Sequence, residues 1–173
     1  MNVIIVGLMG SGKSTVGRLA AHKLGFEFVD TDQLIIEQAG RRIPEIFEAE
    51  GEVGFRTWET KVLHSLAQRQ GLVIATGGGI VTQPRNLPIL RSLGYVIWLH
   101  ADPTTLHRRT MHSHDRPLLR NAQPEETLRA LHEARRHYYE AVADLRIQTD
   151  DLAAEDVAYG VAESAKSHFH QQG

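Results

Sequence analysis

Val3-Ile4-Ile5-Val6-Gly7-Leu8-Met9-Gly10-Ser11-Gly12-Lys13-Ser14 is the stretch on which the fold turns. Its first four residues are apolar, mostly β-branched and without alternation, which reads as a strand buried on both faces, the habit of a parallel sheet. Residues 7–14 fit G-x-x-x-x-G-K-[ST] at every fixed position, and that motif requires a strand before it and a helix after it. Val16, Leu19, Ala20 and Leu24 recur at helical spacing and Gly25 supplies a stop, so both requirements are met. In such a loop the glycines let the backbone wrap a phosphate, and the helix N-terminus supplies an anion cradle. Lys13 then places a cation on the phosphates, and Ser14 offers an oxygen to Mg²⁺. The plain alternative is a glycine-rich turn with a capping Ser14 and a solvated Lys13.

Outward from this motif, apolar runs at 26–29, 72–75 and 95–99 and a weaker one at 145–148 read as four more strands. Helical patterns cover 34–39, 43–50, 52–69, 85–93, 103–110 and 125–143, with a last helix from Ala154; Gly51 separates the second from the third. Alternating strands and helices imply crossover connections. The expected fold is therefore α/β, a three-layer αβα arrangement around a mainly parallel, five-stranded sheet. A single domain over 1–173 is expected, with the polar stretch 110–123 as a lid excursion. Ligands on such sheets bind beyond the carboxyl ends of the strands, where 7–12, 30–32 and 76–79 all fall.

Composition narrows the function. The 173 residues are 42% hydrophobic and 23% charged, with 19 basic against 21 acidic side chains and a net charge of −2. That balance lacks the electrostatic footprint of a nucleic-acid or anionic-membrane binder. The absence of cysteine excludes disulfides, thiolate catalysis and Cys-ligated metal centres. No run approaches the length of a membrane helix and no positively charged segment precedes Val3, so a cytoplasmic protein is expected.

A phosphate cradle alone does not separate switches, motors and kinases. A guanine-reading Asn-Lys-x-Asp is absent, and the third strand runs into Thr76 rather than an acid, whereas the second ends at Asp30. Asp30 is thus the expected magnesium-side carboxylate, acting through water, or else a helix cap. Asp32, two residues on and on the same side if the chain is still extended, can accept the proton of an attacking hydroxyl; the alternative is the N-cap of the next helix. Arg135 falls on the apolar stripe Leu128, Leu131, Tyr138, Val142, and a buried guanidinium needs an anion, either an internal acid or an acidic substrate. Arg136 is rotated about 100° toward solvent. Arg56 has Glu52 and Glu59 at helix-pair spacing, so it is either a surface ion pair or a binding group. Thr76-Gly77-Gly78-Gly79 is either a tight turn or bare backbone for a ligand. Arg109 and Arg116 stand at the margins of the polar stretch as surface charges or lid residues. His112-x-His114 and His168-x-His170 find no third ligand and read as solvated.

These residues together resemble the shikimate kinase family over about 3–159. The resemblance is carried by 7–15, by Asp30-Thr31-Asp32, by Gly51-Glu52 with Phe55-Arg56, and by Gly77-Gly78-Gly79. It continues in Arg109, Arg116-Pro117-Leu118-Leu119, and Arg135 four before Tyr139. It implies a P-loop kinase fold and ATP-dependent phosphorylation of the 3-hydroxyl of shikimate; a monomer is expected. It also implies that Gly10, Ser11, Gly12, Lys13, Ser14 and Thr15 hold ATP, with Ser14 and Asp30 serving Mg²⁺. Asp32 would engage the acceptor hydroxyls; Arg56 and Arg135 would hold the carboxylate; Gly78, between Gly77 and Gly79, would contact the ring. Arg116 would reach the ATP phosphates and Arg109 would pack on adenine, making Lys13, Asp32 and Arg116 the catalytic set. Departures from the family pattern are His137 in place of a common proline, a histidine-rich lid, and Asp-Asp-Leu-Ala-Ala after Thr149. The alternatives are a related gluconate or nucleoside monophosphate kinase, or a non-catalytic ATP or metabolite sensor.

Overall fold

Strand β1 (Val3–Val6) is fully buried at all four positions because it is the centre of the sheet. A computed structural model describes residues 1–111 and 123–173 and orders five strands β2-β3-β1-β4-β5, every pair parallel. The others are β2 (Glu27–Asp30), β3 (Leu72–Ala75), β4 (Tyr95–His100) and β5 (Leu145–Gln148). The helices are α1 (Lys13–Leu24), α2 (Thr31–Ala39), α3 (Ile43–Ser65), α4 (Asn86–Leu93), α5 (Pro103–Thr110), α6 (Pro124–Val142) and α7 (Ala154–Gln172). The expected α/β class and five parallel strands are observed. Among the described residues no helix is long and apolar enough to cross a membrane.

Period-two alternation divides the strands between two cores. Ile4, Val6, Ile74, Val96 and Trp98 face one side with residues of α3, α4 and α6, while Val3, Ile5, Val73, Ile97 and Leu99 face α1 and α7. The order reverses at β1, which leaves a crevice beyond the strand ends. Gly51, at φ 68 and ψ −172, breaks α3 where the sequence placed a boundary.

Several expectations need correction. The second part of α3 ends at Ser65, because the chain there passes into i→i+3 turns through Ala67 and Arg69. A short 3₁₀ helix, Ile80–Thr82, follows the triple glycine and had no sequence reading. On α6, Leu128, Arg135 and Val142 are buried and Leu131 and Tyr138 pack half-buried against the core, as the spacing suggested, and Tyr139, which that stripe left out, is buried beside them. The lid expected at 110–123 lies outside the described residues apart from Thr110, Met111 and Gln123, as do Arg116, Pro117, Leu118, Leu119, His112 and His114.

Candidate active site

The loop between β1 and α1 holds its shape through positive-φ glycines and internal hydrogen bonds. Gly10 and Gly12 sit at φ 82 and 91, a region only glycine enters without penalty. A β-carbon on Gly10 would lie 2.7 Å from the Thr110 methyl and 3.0 Å from the Leu106 carbonyl. Gly12 caps α1 with no side-chain hydrogen bond, so the N–H groups of the first turn are left for an anion. The Lys13 Nζ donates to the carbonyls of Gly7 (2.7 Å) and Leu8 (2.9 Å), keeping the cation inside the loop. Ser11 is turned inward instead: its hydroxyl and its N–H both donate to the Leu8 carbonyl.

This loop forms one wall of a cleft of about 820 Å³. Gly10, Gly12, Lys13, Ser14, Thr15, Asp30, Asp32, Arg56, Gly77, Gly78, Gly79, Arg109 and Arg135 all face it. Met9, Ile43, Pro44, Phe47, Phe55, Glu59 and Thr76 complete the lining; Ile43, Pro44 and Phe47 had no sequence reading as site residues because their role appears only when helices meet.

Asp30 does two jobs at the end of β2. One carboxylate oxygen accepts the N–H groups of Asp32 (2.9 Å) and Gln33 (3.4 Å), which makes it the N-cap of α2, and the other accepts the Ser14 hydroxyl at 2.9 Å. The helix therefore begins at Thr31, and Asp32 lies in its first turn. The expectation of an extended chain through Asp32, or of Asp32 as the cap, is corrected: the cap is Asp30, because a β-region residue with a short acidic side chain satisfies the first orphan donors. Asp32 still faces the cleft, beside Gly77. Thr31, to which the sequence assigned no role of its own, accepts the Gly77 N–H at 3.1 Å and ties α2 to the triple glycine.

Arg56 and Arg135 reach the same glycine turn from different helices. Both are 7% exposed. A β-carbon on Gly79 would collide with the Arg56 guanidinium, so the missing side chain there is what lets Arg56 lie against the turn, while Arg135 Nη1 sits at ordinary contact distance, 3.6 Å, from where a Gly78 β-carbon would be. Arg56 donates to Glu59 at 2.6 Å and to Glu52 at 3.2 Å; burial lowers its pKa but the two carboxylates outweigh that and raise it. The ion pairs with Glu52 and Glu59 that the spacing suggested are present, but Arg56 and Glu59 are buried and not at a helix surface, and Arg56 also faces the cleft. Among the described residues Arg135 is in no ion pair, while Arg136 pairs with Glu140 at the surface (2.8 Å) as its rotation predicted. Arg109 is fixed to Thr149 through its hydroxyl (3.1 Å) and carbonyl (2.7 Å), with the Gly10 carbonyl 3.4 Å away.

Glu59 is fully buried, and its Oε2 has no hydrogen-bond partner among the described residues. Burial pushes its carboxyl up to about 7, helped by the charge of Asp32 and opposed by Arg56 and Arg135. A carboxyl whose folded pKa lies above its unfolded one binds the extra proton when folded, so its contribution to stability fades as pH rises from about 4.5 to 7. Glu59→Gln cannot titrate. The difference in unfolding free energy between wild type and variant, taken from urea melts, should therefore move steadily against the wild type over that window, by a total of about 3 kcal/mol. Parallel pH curves for the two proteins would place the proton elsewhere.

A phosphate loop, a carboxylate at the start of α2 and two guanidinium groups at a bare glycine turn define a kinase that acts on a small anionic acceptor. The chain belongs to the shikimate kinase family, whose profile matches residues 9–166. It is 49% identical over 165 residues to the shikimate kinase of Symbiobacterium thermophilum, covering 94% of this chain and 95% of that one. It is 51% identical over 156 residues to that of Synechococcus elongatus, with 90% and 80% covered. Among solved structures, shikimate kinase from Acinetobacter baumannii in complex with shikimate superposes with a TM-score of 0.92 at 45% identity, covering 96% and 93%. The activity that goes with the family is phosphoryl transfer from ATP to shikimate.

Proposed function

We propose that this chain transfers the terminal phosphoryl group of ATP to the 3-hydroxyl of shikimate, with the residues of the cleft in the following roles. The observation that carries the acceptor assignment is the convergence of two buried arginines on one glycine turn beside the phosphate loop. A small carboxylic acid bearing hydroxyls matches this pocket, with Arg56 and Arg135 on its carboxylate and the Gly77–Gly79 backbone against its ring.

Lys13, the open N-terminus of α1 and the Gly10 and Gly12 backbone bind the ATP phosphates, and Thr15 lines the same wall. Arg109, anchored on Thr149, borders the nucleotide side. The Ser14 hydroxyl and an Asp30 oxygen, 2.9 Å apart and both facing the cleft, form a hard oxygen pair. That set suits Mg²⁺, which takes one or two protein oxygens and completes its shell with phosphates and water. When bound there, Mg²⁺ supplies neutralising charge to the phosphates. Asp32 orients the acceptor hydroxyl and takes its proton as the new O–P bond forms and the bond from phosphorus to the ADP oxygen breaks. Arg116, outside the described residues, adds a cation to the transferring group. Catalysis is then mostly positioning and electrostatics, because the loose transition state asks little covalent chemistry of the protein.

The test is to offer shikimate, gluconate and nucleoside monophosphates separately with ATP and Mg²⁺ and to follow ADP release. Release with shikimate is expected. Release with gluconate alone would overturn the acceptor assignment, and nucleotide binding without release for any acceptor would leave a sensor.

A further inference from the structure

The three glycines at the acceptor pocket have no side chains with which to hold themselves, so each carbonyl must be fixed by something else. Gly77 O accepts the Ile80 N–H at 3.2 Å, and Gly79 O accepts the Thr82 N–H at 3.1 Å and its hydroxyl at 2.7 Å, all within the turn itself. Gly78 O is different: it accepts the hydroxyl of Tyr139, 61 residues away on α6, at 2.5 Å. The middle glycine is also the one that touches both halves of the cleft. A β-carbon there would lie 3.3 Å from the Gly7 carbonyl, 3.5 Å from the Met9 N and 3.6 Å from Arg135 Nη1.

Tyr139 is built to hold this bond. It is 1% exposed and follows Arg135 by one helical turn. Its ring is stacked on Trp98 of β4, centroids 5.5 Å apart and planes at 23°, so it cannot swing away without disturbing the sheet. Burial drives its phenol above the usual tyrosine range while the nearby Arg135 guanidinium acts the other way, and the hydroxyl remains protonated at working pH. We propose that Tyr139 is a positioning residue for the acceptor: by fixing the Gly78 peptide it sets the gap between Arg135, which lies on Gly78, and Arg56, which lies on Gly79. The proposal rests on shikimate being the acceptor and adds a residue that does not touch it.

The experiment compares Tyr139→Phe with wild type in steady-state kinetics for both substrates, together with thermal midpoints. Phenylalanine keeps the stacked ring and removes only the hydroxyl. The expected result is a rise in KM for shikimate of about tenfold, the worth of one buried hydrogen bond, with KM for ATP within about twofold of wild type. 4-Aminophenylalanine at 139 fills the same space with a weaker donor and should give an intermediate shikimate KM; it also serves as the measured variant if Tyr139→Phe does not fold. A shikimate KM unchanged in a wild type that phosphorylates shikimate, or equal losses for both substrates, would overturn the positioning role. Failure of the wild type to use shikimate would instead remove the acceptor assignment, and the two outcomes are distinct.

Discussion

Asp32→Asn should lower kcat by about 10²- to 10⁴-fold while leaving ATP affinity within about threefold of wild type. The side chain keeps its shape and place in the first turn of α2, so the helix and its Asp30 cap survive. Only the negative charge is lost, and with it the group proposed to accept the hydroxyl proton. The lost attraction to the helix N-terminus costs about 0.3–1 kcal/mol and shifts the melting midpoint by a few degrees at most. Because the Asp32 charge helps to raise Glu59, the variant should also titrate Glu59 at lower pH. Rapid-quench measurement of the chemical step alongside calorimetric titration of ATP would separate the effects. A kcat within about threefold of wild type would remove Asp32 from proton transfer.

Arg135→Ala carries the second large effect, this time on binding. A buried guanidinium that makes two charge-assisted hydrogen bonds to a carboxylate contributes enough that its removal should raise the shikimate KM on the order of 100-fold. The arginine belongs to α6 and not to the phosphate loop, so ATP affinity should change by less than about threefold. Arg135→Lys should recover only part of the loss, since an ammonium cannot present two parallel donors. Losing the packed stem costs stability as well, so the melting midpoint must be read beside the kinetics. Equal loss for ATP and shikimate would mean a folding defect and not an acceptor contact.

The parts of this molecule that were legible in its sequence are those encoded locally. The run 3–6 carries its burial in its composition, residues 7–14 carry their loop in fixed spacing, and Gly51 marks a break that the backbone confirms at positive φ. Arg135 was legible as an anomaly because a charge on an apolar stripe is costly at sight. Glu59 and Tyr139 were not. Their significance depends on what Asp32, Trp98 and Gly78 bring to them across dozens of residues, and no periodicity records such meetings. Asp30 and Asp32 were recognised but their geometry was not, since a strand and a helix cap are both ordinary for an aspartate and only the observed turn decides between them. Arg56 shows the same limit: its spacing to Glu52 and Glu59 foretold the ion pairs, yet said nothing of the glycine surface it also covers.

The central position of β1 has a consequence for how the chain comes into being. Val3 aligns with Val73 on one side and with Tyr95 on the other, so the middle of the sheet must wait until about 70 more residues have left the ribosome before it gains its first neighbour. Helices can form in that interval, but a parallel ladder of such long sequence separation closes late and slowly. The nucleotide cradle thus leaves the ribosome well before the strands that support it.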